Sequence, residues 1–130
     1  FRYGSSQDGA KNAVASAKQT IALPKGNYVG LHLAATATGG QTESVPLVFT
    51  YADKTTQTVT VSVRDWSEAQ SPTGDTIATM TRRKRTPQGD EAKASYLRHV
   101  IAPVNIAKEL VSVTLPDNLK VKVFAMTLDR

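Results

Sequence analysis

The amino-acid sequence predicts an all-β fold, an antiparallel β-sandwich or jelly roll of about eight strands. Three observations point there. Short runs alternate between apolar and hydroxylic residues, as in Thr58-Val59-Thr60-Val61-Ser62-Val63, the period-2 pattern of a half-buried strand. Turn chemistry interrupts these runs at fairly regular intervals, a spacing that suits a sandwich rather than β-α-β units. Only two short stretches invite a helix.

The first of these is Asn12-Ala13-Val14-Ala15-Ser16-Ala17. Strands are then expected over residues 19–23, 28–36 and 45–51. Pro24-Lys25-Gly26-Asn27 reads as a tight turn, Thr38-Gly39-Gly40-Gln41 as a longer polar connection and Ala52-Asp53-Lys54-Thr55 as a hairpin tip. Strands over 58–63 and 76–85 flank the polar segment 67–75, and another over 95–102 follows the polar segment 86–93. The second helical stretch is 104–109, where Asn105 could cap one turn. Leu110-Val111-Ser112-Val113-Thr114-Leu115 and Leu119-Lys120-Val121-Lys122-Val123 complete the set around the turn Pro116-Asp117-Asn118. If every connection reverses the chain, loops 24–27, 52–55, 86–94 and 116–118 share one end. Loops 37–44, 65–75 and 102–109 then share the other, together with Trp66.

With 130 residues the chain is expected to form one domain, residues 1–130, with a core of its own. Hydrophobic content of 40% and charged content of 21% are ordinary for a soluble globular protein. No apolar run reaches the ~20 residues that cross a bilayer, so no membrane partner is expected. Phe1-Arg2-Tyr3-Gly4 leads directly into polar residues and does not read as a signal peptide, although a leader or an upstream domain could precede it. The lack of cysteine excludes disulfides, thiolate zinc sites and thiol nucleophiles. A net charge of +5 gives a mildly basic surface, compatible with an acidic polysaccharide, with nucleic acid or with solubility alone.

Several pieces recur in a telling order: Gln19-Thr20-Ile21-Ala22-Leu23-Pro24-x-Gly26-x-Tyr28, Leu31-His32-Leu33-Ala34-Ala35, Phe49-Thr50-Tyr51-Ala52-Asp53 and Asp65-Trp66. Ile101-Ala102-Pro103-Val104, Val111-Ser112-Val113-Thr114-Leu115-Pro116 and Val123-Phe124-Ala125-Met126-Thr127-Leu128 continue it. From about Gln19 to Leu128 this order resembles the galactose-binding-like β-sandwich domains, carbohydrate-binding-module-like, appended to secreted bacterial glycoside hydrolases. The resemblance implies a galactose-binding-domain-like sandwich whose motif residues are mostly architectural. One departure stands out. Where such domains show Tyr-Ala-Asp-Gly-Thr at the hairpin, this chain has Lys54 in place of the glycine, which implies a different turn type and the same fold.

Catalysis finds little support in the residues. The two histidines, His32 and His99, fall inside strands, and no Ser or Thr with an orienting third group is marked out beside either. His32, between Leu31 and Leu33, should face away from two core leucines. The eleven acids scatter through turns, as at Asp53, Asp75, Asp90, Glu91 and Asp117, instead of pairing across a cleft. The chain is therefore read as not an enzyme, with no catalytic residues. No cofactor is expected apart from a structural calcium, for which Asp8, Asn12, Asp65, Asp75 and Asn105 are candidate oxygen donors without forming a recognisable ligand set.

Aromatic rings are the usual platform for sugars, and Trp66 is the best placed of a thin inventory. It could stack against a sugar, or it could plug the end of the core with its N–H on a loop carbonyl. Asp65, Gln41 and Glu68 could supply orienting hydrogen bonds beside it. The run Arg82-Arg83-Lys84-Arg85 places two cations on each face of a strand. It reads either as edge protection or as a site for an anionic polymer using Arg83, Arg85 and nearby Arg98 and Lys93. The lack of interleaved aromatics disfavours nucleic acid.

The function expected is an extracellular, non-catalytic module that binds plant or microbial polysaccharide or oligosaccharide. Its implied covalent partner is the catalytic domain of a secreted bacterial polysaccharide-degrading enzyme. Two alternatives stay open: a structural interdomain sandwich without a soluble ligand, and an adhesion domain for anionic polymers.

Overall fold

The computed structural model describes residues 1–7, 9–68 and 75–130, with backbone alone for 80–86 and 90. Its strands are β1 (Val14–Ala17), β2 (Thr20–Gly26), β3 (Gly30–Thr36), β4 (Glu43–Tyr51), β5 (Thr56–Val63), β6 (Thr76–Thr86), β7 (Gly89–Pro103), β8 (Leu110–Thr114) and β9 (Asp117–Asp129). They form two sheets, β1-β9-β3-β7-β6 and β2-β8-β4-β5, with every paired neighbour antiparallel. The expected β-sandwich is the architecture found.

Alternation decides which residues meet between the sheets. On β3, Leu31 and Leu33 are buried while His32 turns to the outer face, as its spacing required. Leu47 and Phe49 from β4, Leu110 and Val113 from β8, and Val121 and Val123 from β9 complete the interior.

The first helical stretch is the edge strand β1. Val14 and Ala15 pair with Val123 and Lys122, so the open edge of β9 overrides the weak helical preference of a few alanines. The Gln19 side chain stitches the corner that follows, accepting from Ala17 N at 2.6 Å and donating to Ala15 O at 2.7 Å. The second stretch is a turn. Asn105 Oδ1 accepts from Ala107 N at 3.0 Å, a side-chain cap on a turn that goes no further.

The distribution of loops departs from simple alternation. β5 and β6 lie in different sheets and run in the same direction, so the chain changes sheet between them without a net reversal. Ala37 and Asp65 form a parallel bridge at its start. Connections 27–29, 52–55 and 104–109 therefore share one end, tied by Ala52 N to Glu109 O and Val104 N to Val29 O. Connections 37–42 and 115–116 occupy the other, with residues 64–68 after β5. β6 and β7 extend beyond it as an arm. Thr76 stands opposite Arg98 and Thr86 opposite Gly89, while β3 leaves β7 at the Ala35–Arg98 pair. From the Met80–Ser95 pair to the Thr86–Gly89 pair this two-stranded ladder measures about 20 Å.

At the β4–β5 hairpin, Lys54 takes φ 66°, the left-handed conformation that glycine adopts freely. The turn is thus of a kind glycine would serve, and the lysine changes its cost rather than its type. Lys54 N donates to Tyr51 O, and Thr55 N and Oγ1 both donate to Asp53 Oδ1.

Candidate functional site

Asp65 and Trp66 sit where β5 leaves its sheet, at the foot of the arm. Their backbone is clamped on both sides: Ala37 N donates to Arg64 O, Trp66 N to Ala37 O and Tyr96 N to Trp66 O, at 2.8–3.0 Å. Trp66 is therefore fixed between the two sheets, and its residue is half-buried rather than sealed.

Asp65 is 1% exposed. One carboxylate oxygen accepts from Gly40 N at 2.8 Å, and the other accepts from Ser67 N at 2.8 Å and Ser67 Oγ at 2.6 Å. Burial acts to raise its pKa, but these hydrogen bonds, with the Lys93 charge, prevail and hold it below the ordinary carboxylate value. Its oxygens are thus committed to joining loop 37–42 to the segment after β5. The local signal for this is Asp-x-Ser, whose side chain caps the N–H two residues on.

Arg98 is fully buried. Its Nη1 donates to Thr76 Oγ1 at 2.7 Å, and its Nη2 donates to the carbonyls of Asp65 and Glu68. Asp75 lies 3.6 Å from the guanidinium, and the Tyr96 ring lies beneath it at 4.8 Å. Desolvation lowers its pKa, with Asp75 opposing. The arginine is an internal clamp that gathers both ends of the β5–β6 crossover. Its position was legible: Arg98 precedes inward-facing Val100 and Ala102 at period 2.

Glu68 lies on the rim, its side chain 41% exposed, and pairs with Arg64 at 3.3 Å. Thr42 Oγ1 donates to it at 3.2 Å, and the hydrogen bond from Arg64 is the main reason its pKa falls below the usual value. Gln41 is exposed and donates to Glu43 Oε1 at 3.4 Å, a carboxylate that also takes Asn118 and Lys120 of β9. Lys93, from the arm, stands over the Trp66 ring with Nζ 5.4 Å from its centroid. The structure thus sets Glu68, with Thr42 against it, next to Trp66 and places Asp65 and Arg98 beneath as supports, while Gln41 turns to Glu43 instead. Arg83 and Arg85 stand opposite Ala92 and Asp90 in the ladder, and their side chains lie outside the described residues.

A second cluster occupies the outer face of the five-stranded sheet. His32 Nδ1 and His99 Nε2 are 2.8 Å apart, and Asp129 lies 3.8 Å from His32 Nε2. Phe1 meets His99 edge-on at 5.7 Å. These residues with Thr127 and Leu128 line an open hollow of about 340 Å³.

The candidate calcium donors are dispersed. Asp8 lies outside the described residues, and Asp65 is spent on N–H and O–H donors. Asp75 faces Arg64 and Arg98, while Asn12 and Asn105 bond within their own loops. Among the described residues no group of three or more His, Cys, Asp or Glu is gathered to hold a metal ion.

No curated protein matches the chain. A family model does, along residues 1–130, and with two antiparallel sheets already in place the chain belongs to the AziU2-like beta-sandwich domain family.

Proposed function

We propose that this sandwich is a non-catalytic carbohydrate-binding domain whose platform is Trp66. The observation that carries the reading is the state of that ring. The residue is half-buried on a ledge that continues β5 of the four-stranded sheet and is hydrogen-bonded through Ala37 and Tyr96 to the five-stranded sheet. A platform fixed before the ligand arrives loses little entropy on binding. The rim adds what a sugar needs for orientation: the Thr42 hydroxyl, the Glu68 carboxylate and the Lys93 ammonium. Asp65 and Arg98 act indirectly, by fixing the ledge. The resemblance to galactose-binding-like modules of secreted glycoside hydrolases points the same way. In that setting the domain is extracellular and holds a covalently attached enzyme near its polymer, raising the local substrate concentration.

Affinity electrophoresis through gels cast with pectin, xylan, mannan, arabinogalactan or alginate tests this. One polymer should retard the wild-type domain, and Trp66→Ala should migrate freely through it. Free migration of the wild type in every gel would leave the purely structural reading in its place.

A further inference from the structure

The charges around Trp66 are unevenly satisfied. Asp65 is held by three donors, Glu68 by Arg64 and Thr42, and Asp75 by Arg64 and Arg98. Lys93 differs. Among the described residues no carboxylate lies within ion-pair distance of it, and its ammonium stands over the indole instead. A pyranose ring stacking on that face of Trp66 would therefore displace the ammonium from the indole and meet it alongside.

The backbone extends this asymmetry outward. Lys93 faces Arg82 across the ladder, and the next three positions on β6 are Arg83, Lys84 and Arg85. Asp90 and Glu91 stand opposite the last two, so the position beside the ledge, Arg82 with Lys93, pairs cation with cation. Like charges directly opposite in a sheet are destabilising and want a counter-charge from outside. We infer that the ligand is an acidic glycan, with one uronate ring stacked on Trp66 and its carboxylate on Lys93, and with further carboxylates along the β6–β7 arm.

This rests on the sugar-binding reading of the same ledge, and calorimetric titration with matched probes separates the two. The probes are polygalacturonate, the same polymer fully methyl-esterified, and single-stranded DNA. Polygalacturonate should bind, the ester at least about tenfold more weakly, the worth of one charge-assisted contact. Lys93→Gln should remove that preference by bringing the affinity for the acid down to that for the ester, with near-native circular dichroism as the check on folding. Replacing Arg82, Arg83, Lys84 and Arg85 together by Gln should weaken the long polymer and spare trigalacturonate. Equal affinity for acid and ester would overturn the acidic preference while sparing sugar binding. Heat from neither would overturn both. DNA bound as tightly as polygalacturonate, and insensitive to Trp66→Ala, would make the arm a general polyanion surface and overturn the inference.

Discussion

At one end of the sandwich, Asp53, Thr55 and the Lys54 turn close a hairpin within a few residues, and Lys108 adds a single exposed ion pair at 2.8 Å. At the other, a fully buried arginine reaches partners 22 to 33 residues away in sequence, and a buried aspartate links two connections that share no strand. The first arrangement closes a turn and leaves nothing presented. The second spends a buried cation to hold an aromatic residue open on a ledge, which is the arrangement expected where rigidity serves binding. Burying a guanidinium is costly unless its donors are met, and Arg98 Nε has no hydrogen-bond partner among the described residues, so this end should be the more fragile of the two.

Five substitutions at four positions sharpen that contrast. Arg98→Met should have the largest effect, a loss of about 3 kcal/mol in urea unfolding, because it leaves the Asp65 and Glu68 carbonyls without their donor and the Asp75 carboxylate with Arg64 alone. Arg98→Lys should recover little, since one ammonium cannot span the same fork. Asp65→Ala should cost about 2 kcal/mol by the same measure, releasing Gly40 and Ser67 donors. Its pH dependence has a defined sign. The folded pKa is depressed, so the contribution is present above the unfolded carboxylate value and fades as the pH falls below it. Wild type and Asp65→Ala should therefore converge in stability in acid.

At the hairpin end the effects are smaller and one is reversed. Lys54→Gly should stabilise by about 0.5 kcal/mol, because glycine relieves the left-handed strain, with added freedom in the unfolded chain offsetting part of the gain. Lys108→Met should be the mildest, read by NMR titration of Asp53. That carboxyl is lowered to about 2, chiefly by its hydrogen bond from Lys108 with help from Thr55, and it should move up toward the ordinary value. In the wild type its contribution is present above the unfolded value and is lost as the pH drops through about 2.

How much of this was legible follows the same division. Hydroxylic-apolar alternation in β5, β8 and β9 fixed the sandwich, and Asp53-Lys54-Thr55 marked the hairpin, because both signals lie within a few neighbouring residues. The placement of the loops was not legible. It depends on the crossover from β5 to β6, which keeps its direction, and that is a property of two sheets rather than of any local run. Gln41 turns to Glu43 and not to Trp66, and Lys93 over the indole is visible only once β7 is seen to extend past β3. Arg98 read as a surface cation by residue type, whereas its period-2 relation to Val100 and Ala102 placed it inside.

Trp66 is the only tryptophan in the chain, so its fluorescence reports on the ledge alone. Titrating the folded domain with polysaccharides while following that emission is the most direct test of the account. A saturable change with one polymer, lost when Thr42 and Glu68 are replaced together by Ala, is the predicted result. Emission that no polymer alters, from a domain whose unfolding curve is intact, would contradict a sugar platform at Trp66.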